Sequence, residues 1–175
     1  IAGLGIDAEL VGDESLSNRP MERIAKPLRE MGAEIHLKEG KPPIKIAKSN
    51  IADEFIYDLE IPSAQIKSCL LLAALSAGTK IKIIEKETTR NHTELLLQHL
   101  DADIAVKKSN GKTEIILDAT KPITAKDVFV PGDFSSAAFL IGAALISKDA
   151  HICIENVGIN PTRIGFLEVL KEMNA

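Results

Sequence analysis

The sequence predicts an α/β fold with helices at its centre and strands packed around them. Three observations carry that reading. Two kinds of helical segment alternate along the chain, one of them is apolar on nearly every side, and short β-rich runs separate them. The pattern also repeats: Pro62 to Pro131 and Met31 to Leu100 share one spacing of about 70 positions, longer than a solenoid repeat. A helix apolar all round must be covered all round, which places such helices inside and the sheets outside.

Taken in order, Met21, Ile24, Ala25, Leu28 and Met31 follow the i, i+3, i+4, i+7 spacing of a helix with one buried face, which runs into MGAEI at 31–35. A second amphipathic helix is expected from Asn91, with Glu94 three residues on as in a capping box, through Leu95, Leu96 and Leu97 to LDADI at 100–104. A third is expected from Asn160 as N-cap, with Pro161 in the first turn, to MNA at 173–175. The apolar helices are PSAQIKSCLLLAALSAGTKIKI (62–83) and PGDFSSAAFLIGAALISKDAHICI (131–154), each opening after a proline and closing into a strand. Strands are expected at IKIAKS (44–49), EFIYDLEI (54–61), KIKIIE (80–85), DIAVKK (103–108), TEIILDA (113–119) and KDVFV (126–130). SNGK at 109–112 is a hairpin-turn signal between two of them.

Bulk properties narrow the function classes. The 175 residues are 45% hydrophobic and 26% charged, as in a folded globular protein. A net charge of −4 argues against a broad nucleic-acid footprint, so any bound anion needs a local cluster. The apolar runs at 69–77 and 137–145 fall well short of the roughly 20 residues that cross a bilayer, and no signal peptide is visible. Cys69 and Cys153 lie in apolar segments outside any CxxC pair and read as reduced core thiols of a cytoplasmic protein. His36, His92, His99 and His151 are scattered without metal-ligand spacing, and neither GxSxG nor GxxxxGK[ST] occurs. The chain starts at Ile1 inside an apolar pattern and stops directly after a helix, so it is expected to be a piece of something longer.

GDESLSNRPM (12–21), PSAQIKSCLLLAAL, TTRNHTELLL, VPGDFSSAAFLIGAAL and NVGINPTRIGFLEVLKEMNA resemble, in order, segments of the EPSP synthase family, the 3-phosphoshikimate 1-carboxyvinyltransferases that glyphosate inhibits. The resemblance implies repeated βαβαββ units with buried apolar helices inside a sheet shell, an inside-out α/β barrel of the enolpyruvate transferase type, here incomplete. It implies that residues 1–130 are part of the first domain and 131–175 the crossover and start of the second. It further implies transfer of the enolpyruvyl group of phosphoenolpyruvate to the 5-hydroxyl of shikimate 3-phosphate, with no cofactor, metal or covalent enzyme intermediate, in a monomeric parent that meets neither nucleic acid nor membrane. Two other readings stay open: the sister transferase acting on UDP-N-acetylglucosamine, and a non-catalytic scaffold domain marked by an exposed apolar patch.

Site residues follow from the matched motifs. Arg19 matches an arginine that binds phosphoenolpyruvate, and a guanidinium fork suits a carboxylate or phosphate; beside Pro20 it also reads as a solvated helix-start residue. Ser63, Ala64 and Gln65 match shikimate 3-phosphate contacts at the start of an apolar helix, where free N–H groups and the helix dipole favour an anion. Ser63 also reads as a helix cap, and Ala64 stands where some members carry a second serine. Arg90 matches a position near the substrate phosphate, with Thr89 a weaker candidate, and reads equally as a charge ahead of a helix. Lys67 points either at the site or into solvent and is left out, and Asp133 caps the helix that follows it. No catalytic acid or base is expected in this chain, so it should not turn over alone.

Overall fold

A computed structural model describes residues 1–174 and divides the chain into two compact units, Ile1–Ala125 and Lys126–Ala175. The last residue of the expected MNA terminus, Ala175, lies outside the described residues.

In the first unit a short 3-10 turn, Ala2–Leu4, precedes strand β1 (Ala8–Leu10), helix α1 (Glu14–Ser17), helix α2 (Glu22–Glu30) and strands β2 (Glu34–Lys38) and β3 (Lys41–Ala47). There follow β4 (Glu54–Leu59), α3 (Ala64–Ala77), β5 (Lys80–Glu85), α4 (His92–His99), β6 (Asp103–Ser109) and β7 (Lys112–Asp118). Strands β1, β3 and β2 form an antiparallel sheet in that order, and β4, β5, β7 and β6 form a second sheet in which only β4 and β5 are parallel. The run from β4 to β7 thus has the order β-α-β-α-β-β, and α2, β2 and β3 precede it in the order that α4, β6 and β7 repeat.

Local chemistry explains most of these boundaries. Helix α3 starts where the Ser63 hydroxyl accepts the Ile66 N–H, and stops at Gly78, whose left-handed φ of 69° suits a residue without a Cβ. The β6–β7 hairpin turns on Asn110 and Gly111, both at positive φ, as the NG signal requires. Strand β5 alternates, turning Ile81, Ile83 and Glu85 inward, and β7 does the same with Thr113, Ile115 and Leu117. One face of this sheet and helices α2 and α3 enclose a core that includes Leu28, Met31, Leu70, Leu71, Ile83 and Leu117.

Several expectations are corrected. Strand β2 occupies the segment expected as a helix end, because Gly32 at φ 109° terminates α2 and Ala33, Ile35 and Leu37 then alternate inward. KDVFV at 126–130 is exposed and carries no strand, having no neighbouring strand to pair with. Neither does HICI at 151–154, although Val157 forms an isolated bridge to Gly132. Helix α6 (Gly165–Glu172) does not begin at Pro161: the Asn160 carboxamide oxygen accepts the Thr162 N–H at 2.8 Å, an Asx turn ahead of the helix.

The apolar helices are not covered on every side. On α3, Leu70 and Leu71 are fully buried while Leu72 is 49% exposed. On α5 (Phe134–Ile146) only Phe134 and Ala137 are buried, and Phe139 and Ile146 are 82% and 89% exposed. A helix can bury only the faces for which the chain supplies partners. Cys69 is half-buried and Cys153 exposed, so only the first approaches the expected core thiol; burial pushes its thiol pKa up.

Asp133 caps α5 as expected, its carboxylate accepting the Ser135 N–H at 3.2 Å and a hydrogen bond from Arg163 at 3.2 Å. The Ser135 amide first, and the guanidinium second, hold its carboxyl below the ordinary value. A carboxyl lowered in the folded state contributes stability above its unfolded pKa and loses it as pH falls through the folded one. Carbon-13 NMR titration should place Asp133 below the ordinary aspartate value, and Arg163→Ala should move it part of the way back. A midpoint that Arg163→Ala leaves in place would show that the guanidinium contributes nothing.

Candidate anion site at two helix starts

The first turns of α3 and α4 open onto one depression of about 320 Å³ in the first unit, lined by Ala64, Gln65, Ser68, Arg90, His92 and Thr93. Each α-helix leaves its first N–H groups without a partner in the helix, so Ala64 and Gln65 on one side and His92 and Thr93 on the other present donors. Two helix dipoles add their positive ends, and Arg90 adds a full charge from the connection between β5 and α4. The two starts are joined directly by a 2.6 Å hydrogen bond between the Ser68 and Thr93 hydroxyls. Amide donors, hydroxyls and a guanidinium around one concavity are the kinds of group that can hold a phosphate or carboxylate.

The first unit has another hollow, of about 250 Å³, lined mainly by aliphatic side chains such as Leu10, Ile24, Leu28, Ile44 and Leu72. None of its lining side chains is charged, so it offers no side chain to pair with an anion.

Of the residues singled out from sequence, Ala64, Gln65 and Arg90 meet in the depression. Ser63 sits at its edge in the chain and spends its hydroxyl on the Ile66 N–H, at a long 3.5 Å. Arg19 does not line the depression; it follows α1, donates its backbone N–H to the Leu16 carbonyl and leaves its side chain exposed. Thr89 is not part of the lining and donates its hydroxyl to Glu85 at 3.0 Å.

Sequence reasoning missed a buried ion cluster on the same elements. Lys67 is wholly buried, at 0% exposure, and its ammonium donates to Glu94 at 2.6 Å and to Glu85 at 3.2 Å. Both carboxylates are buried too, Glu85 at 2% and Glu94 at 3% exposure, and Glu94 Oε2 has no hydrogen-bond partner among the described residues. Glu94 therefore does not close the expected capping box, and Asn91 makes no side-chain cap bond. A signal was available in each case. Lys67 shares the helix face of Ile66, Leu70 and Leu71, Glu85 continues the inward row of Ile81 and Ile83, and Glu94 stands one turn before buried Leu97.

This geometry can be set beside known proteins. A family model described as EPSP synthase (3-phosphoshikimate 1-carboxyvinyltransferase) matches residues 1–175. The chain belongs to the EPSP synthase family. Relatives named 3-phosphoshikimate 1-carboxyvinyltransferase include one from Hydrogenovibrio crunogenus, 45% identical over 100% of this chain and 40% of its own length. Another, from Streptococcus sanguinis, is 47% identical over 99% of this chain and 40% of its own. Among solved structures, an EPSP synthase from Acinetobacter baumannii superposes with a TM-score of 0.77 at 43% identity, over 98% of this chain and 38% of that one. A second structure of EPSP synthase from that organism gives 0.78 at 42% identity. The chain therefore spans about 40% of the length of the EPSP synthases it matches.

Proposed function

We propose that the whole protein carrying this chain transfers the enolpyruvyl group of phosphoenolpyruvate to the 5-hydroxyl of shikimate 3-phosphate, releasing phosphate. In this reading the depression at the two helix starts receives the phosphate of shikimate 3-phosphate. The observation that carries the reading is the convergence of Gln65, Arg90 and two helix N-termini on one concavity, in a chain of this family. Arg90 would take two phosphate oxygens through its planar fork, the first-turn amides a third, and Gln65 would fix the sugar-acid ring by a neutral hydrogen bond. Ser63 would bind substrate only by sharing the hydroxyl that now caps α3.

Arg19, exposed and outside the depression, would bind phosphoenolpyruvate together with groups that this chain does not contain. Proton transfer requires groups within hydrogen-bond reach of the moving proton, and none is assigned here, so the 175-residue chain alone should release no phosphate from the two substrates. The remaining structural expectations belong to the same reading. Residues 1–130 are part of the first of two domains, 131–175 begin the second, and repeated βαβαββ units close into an inside-out barrel. The open faces of α5 are covered by the rest of that second domain, and the parent is a cytoplasmic monomer.

In the full-length protein, Arg90→Ala should weaken shikimate 3-phosphate binding by about 1.5–3 kcal/mol, the range for hydrogen bonds to charged groups. Arg19→Ala should weaken phosphoenolpyruvate use by a similar amount in the same assay. Titration calorimetry and steady-state kinetics test both. Unchanged constants for both variants, or turnover with UDP-N-acetylglucosamine in place of shikimate 3-phosphate, would sink the assignment.

A further inference from the structure

We infer that Lys67 and Glu94, with Glu85, are positioning residues that hold the two helix starts in the spacing an anion requires. The inference rests on reading the depression as the phosphate site, but assigns a role to groups that cannot touch a ligand there. Lys67 and Glu94 are buried and absent from the lining.

The connectivity carries the inference. Lys67 lies on α3 two positions after Gln65 and one before Ser68; Glu94 lies on α4 directly after His92 and Thr93; Glu85 ends β5 and accepts the hydroxyl of Thr89, the neighbour of Arg90. Gln65, Ser68, His92 and Thr93 of the lining are therefore one or two positions from a member of the ion cluster, and Arg90 is joined to it through its neighbour Thr89. A single ammonium bridges a carboxylate on α4 at 2.6 Å and a carboxylate on β5 at 3.2 Å, so α3, α4 and the connection bearing Arg90 cannot move independently.

The energetics favour a geometric role over a stabilising one. Two buried carboxylates share one cation and leave Glu94 Oε2 without a hydrogen-bond partner among the described residues, a poor way to stabilise a core compared with apolar side chains of the same volume. What the cluster supplies is direction. Charge-assisted hydrogen bonds prefer short, directed contacts, whereas an aliphatic contact is non-directional and would let its elements slide. First-turn amides hold a phosphate only when both sets point at the same place, and a displacement of about 1 Å is enough to lose on the order of a hundredfold in a positioned reaction.

The test uses the full-length protein and three variants. Glu94→Leu unties α4 while Lys67 keeps Glu85, which leaves no buried cation unpaired and preserves folding. Lys67→Met unties all three elements. Glu94→Gln retains an acceptor for Lys67 and serves as the conservative rescue. Glu94→Leu and Lys67→Met should each raise KM for shikimate 3-phosphate by about tenfold or more, with KM for phosphoenolpyruvate changed less than about twofold, as loss of site geometry predicts. Glu94→Gln should stay within about threefold of the unmodified protein, since the link to Lys67 survives. A purely structural role would lower the folded fraction, and so the maximal rate, while leaving both KM values unchanged. That result for Glu94→Leu would overturn the inference even if Lys67→Met failed to fold. Arg90→Ala separates the two levels. If it leaves KM for shikimate 3-phosphate unchanged, the phosphate-site reading fails; if it raises that KM while Glu94→Leu does not, the positioning role alone fails.

Discussion

Lys67→Met is expected to destabilise the first unit by about 3–5 kcal/mol, the cost of leaving buried carboxylates without their cation. The cause is the asymmetry of buried charge. Assembled, Lys67, Glu85 and Glu94 contribute little net stability, because desolvation offsets most of their attraction. With the ammonium removed, Glu85 at 2% and Glu94 at 3% exposure have no solvent to turn to. A loss of that size is a large share of the 5–15 kcal/mol that holds a domain together. Urea unfolding followed by circular dichroism measures it. Combining Lys67→Met with Glu85→Gln and Glu94→Leu should recover most of the loss, since no charge then remains buried. A single variant that unfolds within about 1 kcal/mol of the unmodified chain would show that water reaches the cluster.

The second large effect separates two adjacent leucines. Leu71→Ala should cost about 2–5 kcal/mol, because its side chain is fully buried and a cavity would remain. Leu72→Ala should cost under about 1 kcal/mol, since nearly half of that side chain is already in solvent. The same urea measurement checks both, and equal losses would mean that the exposed side of α3 is covered in solution.

These leucines show how far the sequence could be read. The run CLLLAALSAG announces a helix, and Gly78 announces its end, because both depend on residues a few positions apart. Which leucine is covered depends on where α2, the 3-10 turn and β5 lie, and these come from distant parts of the chain. KIKIIE was legible as a strand to the residue, because β-branched alternation is itself the signal of a half-buried strand. KDVFV carries a similar composition without becoming a strand, since a strand exists only where another pairs with it. NPTR likewise carries every mark of a helix start, yet the Asn160 side chain closes a turn of its own first.

The candidate site divides along the same line. The family motifs brought out Ser63, Ala64, Gln65, Arg90 and Arg19 in the sequence, and Ala64, Gln65 and Arg90 line one depression. Lys67, Glu85 and Glu94 did not stand out, although each occupies a core-facing position in its own element. A charge at an inward position has two outcomes. It can leave the core by bending toward solvent, or stay if a partner of opposite sign arrives from elsewhere.

By itself, then, the sequence determined what short-range chemistry can determine: the helix caps and stops, the alternating strands, the NG turn and the motifs that mark the family. Only the tertiary structure decided which faces of the apolar helices are covered, that two helix starts converge on one depression, and that a lysine is buried between two glutamates on the same elements. The physical reason is range. Backbone conformation responds to neighbours along the chain, whereas burial and ion pairing respond to neighbours in space, and α3 meets β5 and α4 only once the fold has formed.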